Sequence, residues 1–261
     1  MIGRPELQRR SATLGISVAH VELDYVLNHL LAEIARNPGN LVLRGGTALA
    51  RVYWPDFRIS EDLDFISAEP IPDLENRLTG VVGIVAEDSG LDLVLAAGGW
   101  RDDQMRATVH WTTPWSTGGE LLVDVVRFQR AALPVMTQPL HLPYTDLGTP
   151  PAAGIPVLDL KEILANKWLM LEARREPRDL FDLWWALTQQ GVAFSEIADA
   201  HKTAYRYPPM RASVDIAARL ETGWVQRLGY QRRNLPPFGD VLAAVRTEFE
   251  SWRSSEEGLA G

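Results

Sequence analysis

The stretch LVLRGGTALARVYWPDFRISEDLDFIS (41–67) constrains the fold more than any other part of the chain. Apolar residues at 41–43 read as a short strand, Gly45-Gly46 turns the chain, and TALARVYW (47–54) has helical character until Pro55 stops it. Residues 62–66 (DLDFI) then alternate acidic and apolar, as a strand with one buried face requires. Residues two apart on a strand project from the same face, so Asp62 and Asp64 point one way and can share hard divalent cations. The glycines let backbone come close to an anion, and the helix that follows offers unbonded N–H groups and its positive dipole end. Thr47 adds a hydroxyl. Each feature also has a purely structural use, the glycine pair as a tight turn and the acidic pair as a solvated strand edge. Leu63 and Phe65 between the acids, and the apolar strand just before the glycines, favour a site.

Two aspartates leave a catalytic ion underligated on the side of the attacking hydroxyl, so a third carboxylate is needed. Asp124 interrupts the apolar run of Leu121, Leu122, Val123, Val125 and Val126, where a lone charge is costly unless paired or metal-bound. It also shares the strand parity of Glu120, which would suit a solvent-facing carboxylate, but the cost of a lone charge in an apolar strand favours the site.

Around this centre the chain reads as mixed α/β. A helix is predicted over 17–36 and another over 72–88, with strands at 91–97, 105–112 and 120–128. Residues 133–156 hold six prolines and two glycines, which predicts an interdomain crossing without regular structure. Beyond it, 158–175, 178–190, 194–206 and 239–252 show helical periodicity and predict a helix bundle. The expected class is therefore α+β, a mixed sheet flanked by helices over 1–150 and a helical domain over 151–261.

The absence of cysteine excludes disulfides, thiolate nucleophiles and Cys-held metals, so a metal here needs oxygen or histidine ligands. The five histidines are scattered, and only His110 sits where it would face the site. Of the tryptophans, Trp100, Trp111 and Trp115 are conceivable as a stacking platform for a base, although most of the nine read as core. No apolar run is long enough to span a membrane and no signal sequence is evident, which predicts a cytoplasmic protein. The net charge of −8 argues against indiscriminate nucleic-acid binding, yet 202–233 carries seven cations and two anions. That segment is compatible with a phosphate backbone or, equally, with a solvated helical face.

Residues 41–67 resemble the signature of the AbiEii/AbiGii (MenT-like) toxin nucleotidyltransferases, a branch of the DNA polymerase β-type nucleotidyltransferase superfamily. The run VLDLKEILANKWLMLEARREPRDLFDLWWAL (157–187) resembles the same family's second block, in the right order. The resemblance implies that Gly45, Gly46 and Thr47 hold nucleotide phosphates with Ser60 lining the site, that Asp62 and Asp64 are metal ligands, and that Lys167 is the basic residue of the second block. The acidic pair of that block falls on Asp179 and Asp182, preceded by Arg178. Arg44 stands where the family often has Lys, and the link from Tyr53 to Arg58 is longer than in many members; both bear on nucleotide preference.

Independently of the resemblance, Lys167 lies four residues from Ile163 and from Leu171 on an apolar stripe, where an unpaired ammonium is expensive. Asp179 and Asp182 share a helix face near its start, which suits the helix dipole without any catalytic role. The expected activity is transfer of a nucleotide from a nucleoside triphosphate with two Mg²⁺ ions, one on the attacking hydroxyl and one on the departing pyrophosphate, with Asp124 as proton acceptor and with Lys167 completing the cleft from the second domain. The resemblance implies the toxin of a toxin–antitoxin pair, a cognate antitoxin as partner and an RNA acceptor, foremost the 3′ end of transfer RNA. A small-molecule nucleotidyltransferase and a catalytically silent nucleotide-binding module are the alternatives.

Overall fold

The described residues form seven strands: β1 (Val42–Arg44), β2 (Asp62–Ser67), β3 (Asp92–Arg101), β4 (Gln104–Thr113), β5 (Ser116–Arg127), β6 (Met136–Gln138) and β7 (Ile155–Val157). They form one mixed sheet in the order β3-β4-β5-β2-β1-β7-β6 in the computed structural model, which describes residues 1–55, 57–101, 103–127, 129–148 and 154–259. β3, β4 and β5 make an antiparallel meander, and β5 runs parallel to β2. Four helices belong with the sheet: α1 (Arg4–Leu14), α2 (Val18–Arg36), α3 (Gly45–Ala48) and α4 (Ile71–Ser89). α2 starts at Ser17, whose hydroxyl accepts the His20 N–H, and α4 ends at Gly90 with φ +70°.

One face of the sheet is the core. Leu43, Leu63, Phe65, Val109, Val123 and Val125 are buried on it. Leu30 and Ile34 of α2 and Leu78, Val81 and Val82 of α4 meet this face around a small cavity that Leu63, Val109 and Val123 also line. The opposite face carries the even-numbered residues of β2, β4 and β5, Asp62, Asp64, Arg106 and Asp124 among them. The core side is thus what orients the acidic side.

By internal contacts the chain divides into two units, Met1–Arg130 with Val135–Leu158, and Ala131–Pro134 with Asp159–Gly261. The proline-rich stretch, expected from the sequence as an interdomain crossing without regular structure, instead carries two short strands and from Val135 on belongs to the first unit. Its β7 pairs with β1 through Leu43 and Val157, and β6 pairs with β7. Tyr144 is buried and donates to Asp24 Oδ2 at 2.9 Å and to the Val21 carbonyl at 3.1 Å. Arg51 pairs with the same carboxylate and donates to Asn28 Oδ1 at 2.8 Å, so a buried polar network ties this stretch to α2. The boundary expected at 150/151, and Phe128 at the end of the third predicted strand, lie outside the described residues.

The second unit is helical: α5 (Leu160–Ala173), α6 (Pro177–Trp184), α7 (Phe194–Tyr205), α8 (Arg211–Ala217), α9 (Trp224–Leu228) and α10 (Phe238–Leu259). Trp168 of α5 is fully buried at its centre, stacked on Phe249 at 5.2 Å between centroids and edge-on to Phe194 at 4.9 Å. Among the described residues no helix is long and apolar enough to cross a membrane.

Candidate active site

The site grows from the join of β1, α3 and β2. Arg44 ends β1 in extended backbone, and Gly45 enters α3 at φ +73°, a left-handed conformation that residues with a side chain adopt only at a cost. A Cβ on Gly45 would stand 2.4 Å from Asp64 Oδ2, and one on Gly46 would stand 2.9 Å from an Arg58 guanidinium nitrogen and 3.2 Å from the Ser60 hydroxyl. Gly45 is therefore required by its conformation and by the close approach of Asp64, while Gly46 is crowded by the flexible end of Arg58 and by Ser60. α3 continues into a π-helical turn, Leu49–Tyr53. The first N–H groups of this helical run have no intrahelical acceptor, which leaves donors for an anion.

Thr47 is fully buried, and its hydroxyl donates to the Asp62 carbonyl at 2.5 Å. In this geometry it clamps α3 to β2. Ser60 and Arg58 are also buried, and Arg58 Nη1 donates to the Ile59 carbonyl at 3.0 Å.

Strand register then lines up a row of four charges. Arg44 is opposite Asp64, Asp64 is beside Asp124, and Asp124 is opposite Arg106, so the row crosses β1, β2, β5 and β4 in turn. Arg106 Nε donates to Asp124 Oδ1 at 2.8 Å and Nη2 to Oδ2 at 2.7 Å, a forked pair that uses both carboxylate oxygens. The Arg106 pKa is raised, first by these hydrogen bonds, then by the charge of Asp124, against the opposing effect of burial, with Asp64 and Asp62 adding the least. Arg44 Nη1 donates to Gln129 Oε1 at 2.7 Å. His110 lies on the same sheet face, four residues along β4 from Arg106, and pairs with Glu120 at 3.5 Å. Trp111 is buried at the opposite parity, on the core side, which removes it from any stacking platform; the Trp100 side chain lies outside the described residues.

Asp62 and Asp64 project together from β2 beside a turn kept free of Cβ atoms, and hard oxygen donors in that setting fit a divalent ion such as Mg²⁺. Asp124 is the third carboxylate by register, but its oxygens are engaged with Arg106. Correspondingly, no three His, Asp or Glu residues among those described are gathered closely enough to hold a metal as they stand.

The second block forms a separate cluster within the helical unit. Lys167 of α5 pairs with Asp179 Oδ1 at 2.7 Å and Asp182 Oδ2 at 2.9 Å, both on α6. The side chains are 11%, 4% and 0% exposed, and Asp179 Oδ2 is buried with no hydrogen-bond partner. Arg178 is half-buried beside Asp179 in the first turn of α6, after Pro177. The neighbours of Lys167 on the predicted stripe, Ile163 and Leu171, are buried, as its spacing requires.

Sequence reasoning missed two residues here, Arg58 and Arg106. Arg58, Ser60, Asp62 and Asp64 share one parity, and that alternation extends the D-x-D pattern back to a buried cation. Arg106 left no such signal, since its meeting with Asp124 depends on how β4 pairs with β5.

The model of the family described as "Nucleotidyl transferase AbiEii toxin, Type IV TA system" matches residues 29–248, which include both blocks. The chain belongs to the AbiEii nucleotidyltransferase toxin family. As an AbiEii member it is a nucleotidyltransferase toxin of a type IV toxin–antitoxin system. Its fold is similar to MenT4, a nucleotidyltransferase toxin from Mycobacterium tuberculosis H37Rv, with 21% identity and a TM-score of 0.67 over 95% of this chain and 89% of that one. It is also similar to a crystal structure from H. pylori whose nucleotidyltransferase assignment is provisional, with 19% identity and a TM-score of 0.63 over 94% and 99%. At these identities the likenesses establish the AbiEii chain's fold and leave its acceptor open. No curated protein matches the chain.

Proposed function

We propose that this AbiEii toxin transfers a nucleotide from a nucleoside triphosphate to an RNA acceptor, foremost the 3′ end of transfer RNA, with Mg²⁺ held by Asp62 and Asp64. The observation that carries the reading is the approach of Asp64 to Gly45, which sets a pair of same-face carboxylates against a turn rich in backbone donors. Bound there, the ion supplies charge neutralisation at the phosphates and acidifies the acceptor hydroxyl. The amides of the Gly45-Gly46 turn bind phosphate oxygens and offset charge that grows on them during in-line displacement. Arg58, buried against Gly46, adds a fixed positive charge to the same turn. Thr47 and Ser60 position the turn against β2. Asp124 becomes available as third ligand or proton acceptor once Arg106 leaves its oxygens.

The basic segment supports an RNA acceptor in reduced form. Lys202 is paired with Glu256 at 2.7 Å, Arg211 is 3.6 Å from Glu250, and Arg232 stacks on Trp185 at 4.5 Å. Arg206, Arg219, Arg227 and Arg233 are exposed, with no carboxylate partner among the described residues. These four are the ones available to phosphate. A cognate antitoxin is the expected protein partner.

The test is incubation with each labelled nucleoside triphosphate, Mg²⁺ and total RNA. Label should enter RNA with the native protein and be absent with Asp62→Ala. Replacing Arg219, Arg227 and Arg233 by Gln should weaken RNA binding and lower its salt dependence, since fewer phosphates are neutralised. Label found only in a small molecule would replace the RNA reading with the small-molecule one, and no transfer under any nucleotide would leave a silent binding module.

A further inference from the structure

We propose that Arg106 is a gate on Asp124: in the resting protein its guanidinium occupies the position of a cation, and the third metal-ligand place opens only when Arg106 lets go. The inference rests on the proposed metal-dependent reading and deepens it at the third carboxylate.

Three observations support it. First, the forked pair at 2.8 and 2.7 Å uses both oxygens of Asp124, leaving neither free for an inner-sphere cation. Second, the two partners differ in exposure, Arg106 at 59% and Asp124 at 13%, so the guanidinium can swing into solvent while the carboxylate stays on the sheet. Third, strand register sets Asp124 beside Asp64 and opposite Arg106, so the guanidinium closes the outer end of the carboxylate row. A gate of this kind makes a single metal ion a poor competitor. A metal–triphosphate complex competes better, since its phosphates offer the displaced guanidinium new oxygens.

The experiment measures Mn²⁺ binding to the nucleotide-free protein by electron paramagnetic resonance and calorimetry, for wild type, Arg106→Gln, Asp124→Asn and the double variant. An exposed forked pair is worth about 1 kcal/mol at most, so Arg106→Gln should bind Mn²⁺ up to about fivefold more tightly than wild type. The gain should vanish in the double variant, because a neutral amide in place of the Asp124 carboxylate cannot complete the site whether or not the gate is open. Unchanged or weaker binding in Arg106→Gln overturns the gate. So does a gain that persists in the double variant, which would mark a general loss of positive charge, and so does an absence of Mn²⁺ binding in all four proteins. Nucleotide transfer by the wild type, assayed separately, tells whether the underlying reading survives any of these results. Thermal melting of each variant confirms that it is folded.

Discussion

Removing the ammonium of Lys167 should cost the helical unit much of its stability, whatever it does to catalysis. Lys167 holds two carboxylates that are 4% and 0% exposed, and one of Asp179's oxygens already lacks a partner. Lys167→Met fills similar volume but leaves Asp179 and Asp182 as adjacent buried charges. Breaking a buried ion pair by removing one partner costs about 3–5 kcal/mol, because the remaining charge is desolvated without compensation. For a unit of roughly a hundred residues, each kcal/mol lowers the melting temperature by about 4–8 °C, which gives a fall of about 12–40 °C. The assay is calorimetric melting of wild type, Lys167→Met and a triple variant that adds Asp179→Asn and Asp182→Asn. The triple variant has no buried charge in the cluster and should recover most of the loss. A Lys167→Met protein that melts within about 2 °C of wild type would refute the reasoning and return Lys167 to a purely chemical role. The triple variant also separates stability from chemistry: folded yet inactive, it would show that the charges of this cluster are needed for transfer and not only for the fold.

Two further outcomes follow from the first unit. Gly45→Ala should be the more harmful of the two glycine substitutions, by about 1–2 kcal/mol in urea unfolding, because it forces φ +73° on a residue with a side chain and drives Asp64 off the turn, whereas Gly46→Ala meets the flexible end of Arg58; equal costs would contradict this. His29 is pushed down to about 4 by burial, against the opposing charge of Asp146. A histidine with a lowered folded-state pKa contributes stability that is full above about pH 6.5 and is lost as pH falls to about 4, at most about 3 kcal/mol. Urea unfolding at pH 7 and pH 4.5 should show that loss in wild type and a smaller one in His29→Gln; parallel losses would sink it.

What the sequence shows of this fold is what local spacing controls. β2 and the core-facing halves of β4 and β5 follow from alternation, and α2, α4, α5 and α10 from apolar stripes. α1 escaped because it is polar throughout and buries only Leu7. β6 and β7 escaped because they are short and lie in a proline-rich stretch, and because β7 depends on pairing with β1 from far away in sequence and β6 on pairing with β7. α8 and α9 were legible but hidden: Val214, Ala217, Leu220, Trp224 and Leu228 recur at three to four and are buried, under a run of arginines that draws attention to charge.

The candidate site divides along the same line. Asp62, Asp64 and the glycine turn are neighbours in sequence, so spacing alone brings them together. Asp124 reaches Asp64 only through the parallel register of β5 on β2, and that register creates a problem of its own: two like charges side by side across strands repel. The fold meets it by flanking the pair with Arg44 and Arg106, giving a row whose charges balance. A row built only for stability would do as well with two apolar residues at its centre, as buried or half-buried ion pairs generally do. The chain keeps adjacent carboxylates, presses one against a left-handed glycine and covers the other with an exposed arginine, an arrangement that the proposed ion site would account for.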